Sequence, residues 1–131
     1  MEDVEQDRSG TVEADRPIAA SLRAGNTIYL AGQIADTADG IVQAPDDVIA
    51  QAAIIFEKIR DILAAEGASF TDVVKLVTYF AVPLDVEVSR KYWEVRRRFF
   101  GDHKVASTGI QVAALIYPEC LIEIEATAVV A

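Results

Sequence analysis

LIEIEATAVV, Leu121 to Val130, decides the fold. Its β-branched and apolar content predicts a strand, and alternate side chains of a strand share a face. Ile122, Ile124, Ala126 and Ala128 then form a uniformly apolar face suited to packing against helices. Leu121, Glu123, Glu125, Thr127 and Val129 form the other, which is mixed. Two carboxylates on one strand face mark either wet surface or the wall of a site. A half-apolar face with scattered polar groups suits a subunit junction better than bulk water, and a cleft at such a junction is a natural ligand site.

Working outward, Thr108 to Ala114 reads as the preceding strand, joined to the last one through a Tyr117-Pro118 loop. Before it, Asp85 to Phe100 carries Val88, Tyr92, Val95, Phe99 and Phe100 at helical spacing, with Arg96, Arg97 and Arg98 in the last turns. Cations there complement the carboxyl end of the helix dipole. Val73 to Val82 reads as a central strand ended by Pro83. Pro45-Asp46-Asp47 opens a first helix, whose stripe of Val48, Ala52, Ile55, Ile59, Ile62 and Leu63 runs until Gly67. Ile18 to Leu22 and Thr27 to Ala31 form a hairpin turned at Gly25-Asn26. The order is ββαβαββ, an α+β domain. Two helices cover only one face of such a sheet, so the other meets water or another subunit.

A chain of 131 residues with 52% hydrophobic content is the size of one domain, expected over residues 17–131. Residues 1–16 hold six acids against Arg8 and Arg16 and are expected as a flexible acidic tail. The apolar runs are too short for the ~20 residues of a membrane helix, and the start is acidic rather than basic and greasy. A soluble, cytoplasmic protein with no membrane partner is expected. Cys120 and His103 are single of their kinds, which leaves no internal disulfide and no zinc constellation, so no metal is expected; the chemistry is expected to need no organic cofactor either. Cys120 falls on the core parity as a small buried hydrophobe, and His103 on an exposed loop. The net charge of -9 disfavours nucleic acid, whose binding needs clustered cations.

AGNTIYLAGQIAD (24–36), QAAIIFEKIRDILAAEGASFTDVVKL (51–76) and IQVAALIYPECLIEIEATAV (110–129) together resemble the RidA/YjgF family of reactive-intermediate deaminases. The resemblance runs from about Pro17 to Val130. It implies a chorismate-mutase-like ββαβαββ fold, a homotrimer, and three pockets between subunits that bind a small molecule. Deaminating members of this kind grip a substrate carboxylate with an arginine before the penultimate strand. A glutamate on the last strand positions the water that hydrolyses a 2-iminoacid to a 2-ketoacid and ammonia.

By this resemblance the glutamate is Glu123 and the glycine of the pocket turn is Gly32. The other positions depart: the arginine falls on Ser107, a pocket tyrosine on Ile18, a serine on Ala31, a cysteine on Gly109 and a helix asparagine on Trp93. Serine cannot replace a bidentate, permanently charged clamp. Ser107 therefore points away from a standard 2-iminoacid, toward hydrolysis or tautomerisation of a small imine, enamine or related unsaturated amine or amide. Glu123 carries the chemistry, Ser107 offers a neutral hydrogen bond, and backbone donors near Gly32 and Gly109 hold developing charge. Glu125 reads as a structural pairing, Trp93 as a packing residue or a stacking platform, and Ser107-Thr108 as lining rather than a nucleophile. Arg96 to Arg98 read first as solvated; whether one replaces the missing clamp stays open. The rival class is a non-catalytic trimer that binds a small metabolite. The ribonuclease activity sometimes attributed to this family sits poorly with the acidic charge.

Overall fold

The computed structural model describes residues 16–131. The acidic segment expected over 1–16 lies, up to residue 15, outside the described residues.

Asp47 caps the first helix, α1 (Val48–Ala65), its carboxylate accepting from the amides of Ile49 at 3.1 Å and Ala50 at 3.0 Å. Gly67 ends it at φ 72°, with its amide bonded to Ala64 O and that of Ala68 to Leu63 O. That pairing satisfies the last-turn carbonyls, and the left-handed backbone at its centre favours glycine. The second helix, α2 (Val86–Phe100), begins on Asp85, whose carboxylate accepts from Val88 N at 2.9 Å, and carries Arg97 and Arg98 in its last turn.

The strands are β1 (Ser21–Ala24), β2 (Thr27–Leu30), β3 (Val73–Phe80), β4 (Ala106–Gln111) and β5 (Ile122–Val129), in the sheet order β1-β2-β5-β3-β4. The chain order is the expected ββαβαββ, and all neighbours are antiparallel except β3 and β4. Strand boundaries depart from expectation at several ends: β3 stops at Phe80 and β4 at Gln111, short of Val82 and Ala114. Ile18 to Ala20 precede β1, leaving Ile18 64% exposed outside the ladder, and β4 starts two residues earlier than its apolar run. Its polar start is held by pairing with β3, Ser107 opposite Leu76, which apolarity alone does not report.

Ile122, Ile124, Ala126 and Ala128 are buried, with Leu76 and Ile28 beside them and Ala52, Ile55, Phe56, Ile59 and Leu63 of α1 above. An aromatic group closes the helix end, Phe56 lying 5.4–6.4 Å from the rings of Phe70, Tyr92, Phe99 and Phe100. Gln51, fully buried, donates to Gln43 O, Ala44 O and Glu119 O and accepts from Leu121 N at 2.9 Å, stapling two loops to α1. Cys120 is buried as expected. His103 is not simply exposed: it is half-buried, its Nε2 donates to Val73 O at 2.8 Å, and its ring stacks beside Phe100. Among the described residues no helix is long and apolar enough to cross a membrane.

Candidate functional site

Beyond β2 the chain rejoins β5 through Gln33 and Ile124, with one more residue on its side than the register at Tyr29 and Thr127 allows. That bulge brings Gly32 against Glu123. A Cβ on Gly32 would overlap Oε2 of Glu123 and lie 3.0 Å from its Cδ. The backbone there is not left-handed, so glycine is needed for the close approach of the carboxylate and not for φ.

Glu123 is half-buried, and among the described residues no side chain hydrogen-bonds or ion-pairs its carboxylate. Burial, and then the nearby Glu125, push the Glu123 carboxyl above the ordinary glutamate range. Glu125 has a partner, the hydroxyl of Tyr79, which donates to it. That hydrogen bond is the first cause holding the Tyr79 phenol above its usual range. Identical residues two apart on one strand therefore differ: one is tied down and one is left available. Beside Gly32, a pocket of about 240 Å³ is lined by Ala31 and Ile18, with Lys58 at its wall donating to Ile34 O at 2.8 Å and paired with Asp36.

The remaining expected residues, Ser107, Gly109 and Trp93, meet elsewhere. They line a pocket of about 220 Å³ between β4 and α2, together with Thr78, Tyr92 and Arg96. Ser107 and Gly109 pair with Leu76 and Thr78, so they share the helix face of the sheet. A Cβ on Gly109 would meet only Phe80, at 3.5 Å, an ordinary contact, so glycine here opens the pocket without relieving a clash. Trp93 is not in the core of the chain: 45% exposed, it forms a flat wall. Tyr92 is buried, its hydroxyl 2.6 Å from Thr78 Oγ1; burial is the main cause raising its pKa.

The sequence alone does not decide the role of Arg96. Its Nη1 donates to Ser107 Oγ at 3.2 Å, and its guanidinium lies 5.6 Å from the centre of the Tyr92 ring. The available signal was spacing, since Ser89, Tyr92, Trp93 and Arg96 fall at i, i+3, i+4 and i+7 on one helix face.

The two groups look away from each other. Glu123 pairs with Tyr79 on the open face, while Gly109 pairs with Thr78 on the helix face. The open face also exposes Leu22 (67%), Tyr29 (51%), Ile110 (41%) and Val129 (44%), an apolar surface around the carboxylates.

A family model described as Endoribonuclease L-PSP matches residues 11–130. A RutC family protein of Pyrococcus horikoshii is 35% identical over 113 residues, 86% of each chain. The 2-iminobutanoate/2-iminopropanoate deaminase of Capra hircus is 34% identical over 115 residues, 86% of this chain and 80% of that one. The crystal structure of RidA from an Antarctic Psychrobacter superimposes with a TM-score of 0.77 at 27% identity, covering 88% and 90% of the two chains.

Proposed function

The chain belongs to the RidA/YjgF family, and we propose that it hydrolyses a small imine or enamine, or tautomerises a related unsaturated amine or amide, in a pocket formed between copies of itself. The observation that carries this reading is Glu123: half-buried, without a side-chain partner among the described residues, pressed against a glycine and raised in pKa. A carboxyl kept for structure acquires partners, as Glu125 has; one raised toward neutrality and left open suits general acid and base work.

In the hydrolysis, Glu123 takes a proton from water as the oxygen adds to the carbon of C=NH. The resulting tetrahedral carbinolamine receives a proton on nitrogen, its C–N bond breaks, and ammonia leaves as the oxygen gives up its proton to form C=O. One water is consumed and no redox change occurs. In this reading the backbone at Gly32, which lies against the carboxylate, helps to steady developing charge.

The two faces of the sheet support the assembly. Glu123 and Gly32 of one chain and Ser107, Gly109 and Trp93 of the same chain lie on opposite sides of the sheet, so one small substrate cannot touch both. A homotrimer in which the open face of one copy meets the β4 edge of the next unites them and covers Leu22, Tyr29, Ile110 and Val129. The reading keeps the goat relative's imine chemistry; the imine's identity turns on position 107.

The test is ammonia release above the spontaneous rate from imines freshly generated from several amino acids, with Glu123→Gln as comparison. The expected result is turnover by the wild type and a loss of about 10²-fold or more in the variant. Tight binding by the wild type with no turnover of any imine would instead support the non-catalytic trimer, which the serine at position 107 favours.

A further inference from the structure

The serine at position 107 does not leave the pocket without a cation. Arg96 enters the same space from α2, with one nitrogen on Ser107 Oγ at 3.2 Å. The Tyr92 ring supports the guanidinium, and Tyr92 is itself fixed by Thr78 at 2.6 Å. No acidic side chain ion-pairs Arg96 among the described residues. A guanidinium carries five N–H donors in a planar fork, so most of its donors remain for a ligand. Arg96 also lines a second, larger cavity of about 650 Å³, shared with Trp93 and Ser107 and bordered by Arg97 and Lys104. It therefore lines both spaces, the larger of which also carries Asp102 and His103 in its wall.

We propose that Arg96 is the anion clamp of this pocket, with Ser107 as its positioning residue, and that the substrate is an imine bearing a carboxylate. This inference rests on the imine-hydrolase reading and deepens it. It replaces the carboxylate-free substrate expected from Ser107 alone: the charge has moved from strand to helix, and the hydroxyl left behind holds it in place. The second cavity, walled by the Trp93 indole, gives the substrate's side chain its room. An arginine so placed grips the two oxygens of a carboxylate together, which a lysine cannot do.

The test is calorimetric binding of 2-oxobutanoate and 4-methyl-2-oxopentanoate, product-like carboxylates, against the corresponding neutral 2-oxoamides. Full-length wild type, Arg96→Ala, Arg96→Lys, the double variant Arg96→Ala with Ser107→Arg, and Glu123→Gln are compared, with ammonia release measured in parallel. Arg96→Ala is expected to weaken the carboxylates at least 10-fold and leave the amides unchanged, with Arg96→Lys close to Arg96→Ala. The double variant is expected to recover carboxylate binding, which a merely structural role for Arg96 would not permit. Glu123→Gln is expected to bind the carboxylates and release no ammonia. Unchanged carboxylate affinity and KM in Arg96→Ala, while Glu123→Gln is inactive, would overturn the clamp and leave the hydrolase reading standing. Equal loss of acids and amides would also overturn it, as collapse of the pocket. A wild type that binds neither ligand and releases no ammonia would overturn both.

Discussion

Gly32→Ala isolates the contact on which the catalytic reading depends. The new methyl falls onto the Glu123 carboxylate, 3.0 Å from Cδ and 3.2 Å from Cγ, with nothing else among its nearest neighbours. Gly32 is not one of the left-handed glycines, which are Gly25, Gly40, Gly67 and Gly101, so alanine meets no backbone penalty there. The conflict is with one side chain, whose far end can swing aside. Overpacking costs about 1 to 3 kcal/mol, and a movable, half-buried carboxylate places this case near 1. The effect on turnover should be larger, because misplacing a reacting group by about 1 Å can cost about 10²-fold. Urea unfolding of wild type, Gly32→Ala, Glu123→Ala and the double variant, at fixed protomer concentration, gives the coupling between the two sites. The alanine at position 32 should cost about 1 kcal/mol beside glutamate and nearly nothing beside alanine. An equal cost in both backgrounds would refute the reasoning, since the methyl would then be meeting something other than Glu123.

Glu123→Gln should stabilise the protein at neutral pH and not in acid. The raised carboxyl binds its proton more tightly folded than unfolded, so its stability contribution is full below the ordinary glutamate range and is lost as pH rises through the folded value. Melting curves across pH check this, and a pH-independent difference between variant and wild type would contradict it. Gln51→Leu should cost about 2 to 4 kcal/mol in chemical denaturation, because it leaves the Leu121 amide and three loop carbonyls without their buried partner. Tyr92→Phe should cost about 1 to 3 kcal/mol by orphaning the Thr78 hydroxyl, while keeping the ring beneath Arg96. Leu22→Asp with Val129→Asp should yield monomers in sedimentation velocity and abolish ammonia release, since the open face then cannot be covered; a trimer of wild-type activity would exclude that face from the interface.

The helices and the last strand were legible because their signals are local. Asp47, Gly67 and the apolar stripe between them specify α1 without reference to anything else in the chain. The alternation of Ile122, Ile124, Ala126 and Ala128 fixes which face of β5 is buried, as observed. Ile18 and the start of β4 were misplaced because both depend on partners. Ile18 has the composition of a strand residue but lies outside the β1–β2 ladder, whereas Ser107 has none of that composition and is held by Leu76. His103 likewise found its partner in Val73, a carbonyl 30 residues away that no spacing rule names.

Spacing places residues on a face of their own element, but not on a face of the molecule. Glu123 and Glu125 share a side of β5, and Trp93 and Arg96 share a side of α2; both facts are in the sequence. That Glu123 looks out of the open side while Ser107 and Gly109 look toward α2 depends on two registers, Tyr79 with Glu123 and Thr78 with Gly109. Tyr79 and Thr78 are adjacent on β3 and so point to opposite faces. The strand between the two groups therefore divides them by one residue of parity. From this follows a constraint that neither half of the site reveals alone: in the proposed trimer, the glutamate of one chain and the guanidinium of the same chain serve different molecules of substrate. If both act on one imine, mixing inactive Glu123→Gln with weakly binding Arg96→Ala must restore activity at low substrate beyond that of either variant alone. In a mixed trimer, a wild-type Glu123 from one copy then faces a wild-type Arg96 from another. Complete absence of complementation after co-refolding, with mixed trimers demonstrated by mass, would place the two groups in separate sites and break the link between clamp and catalyst.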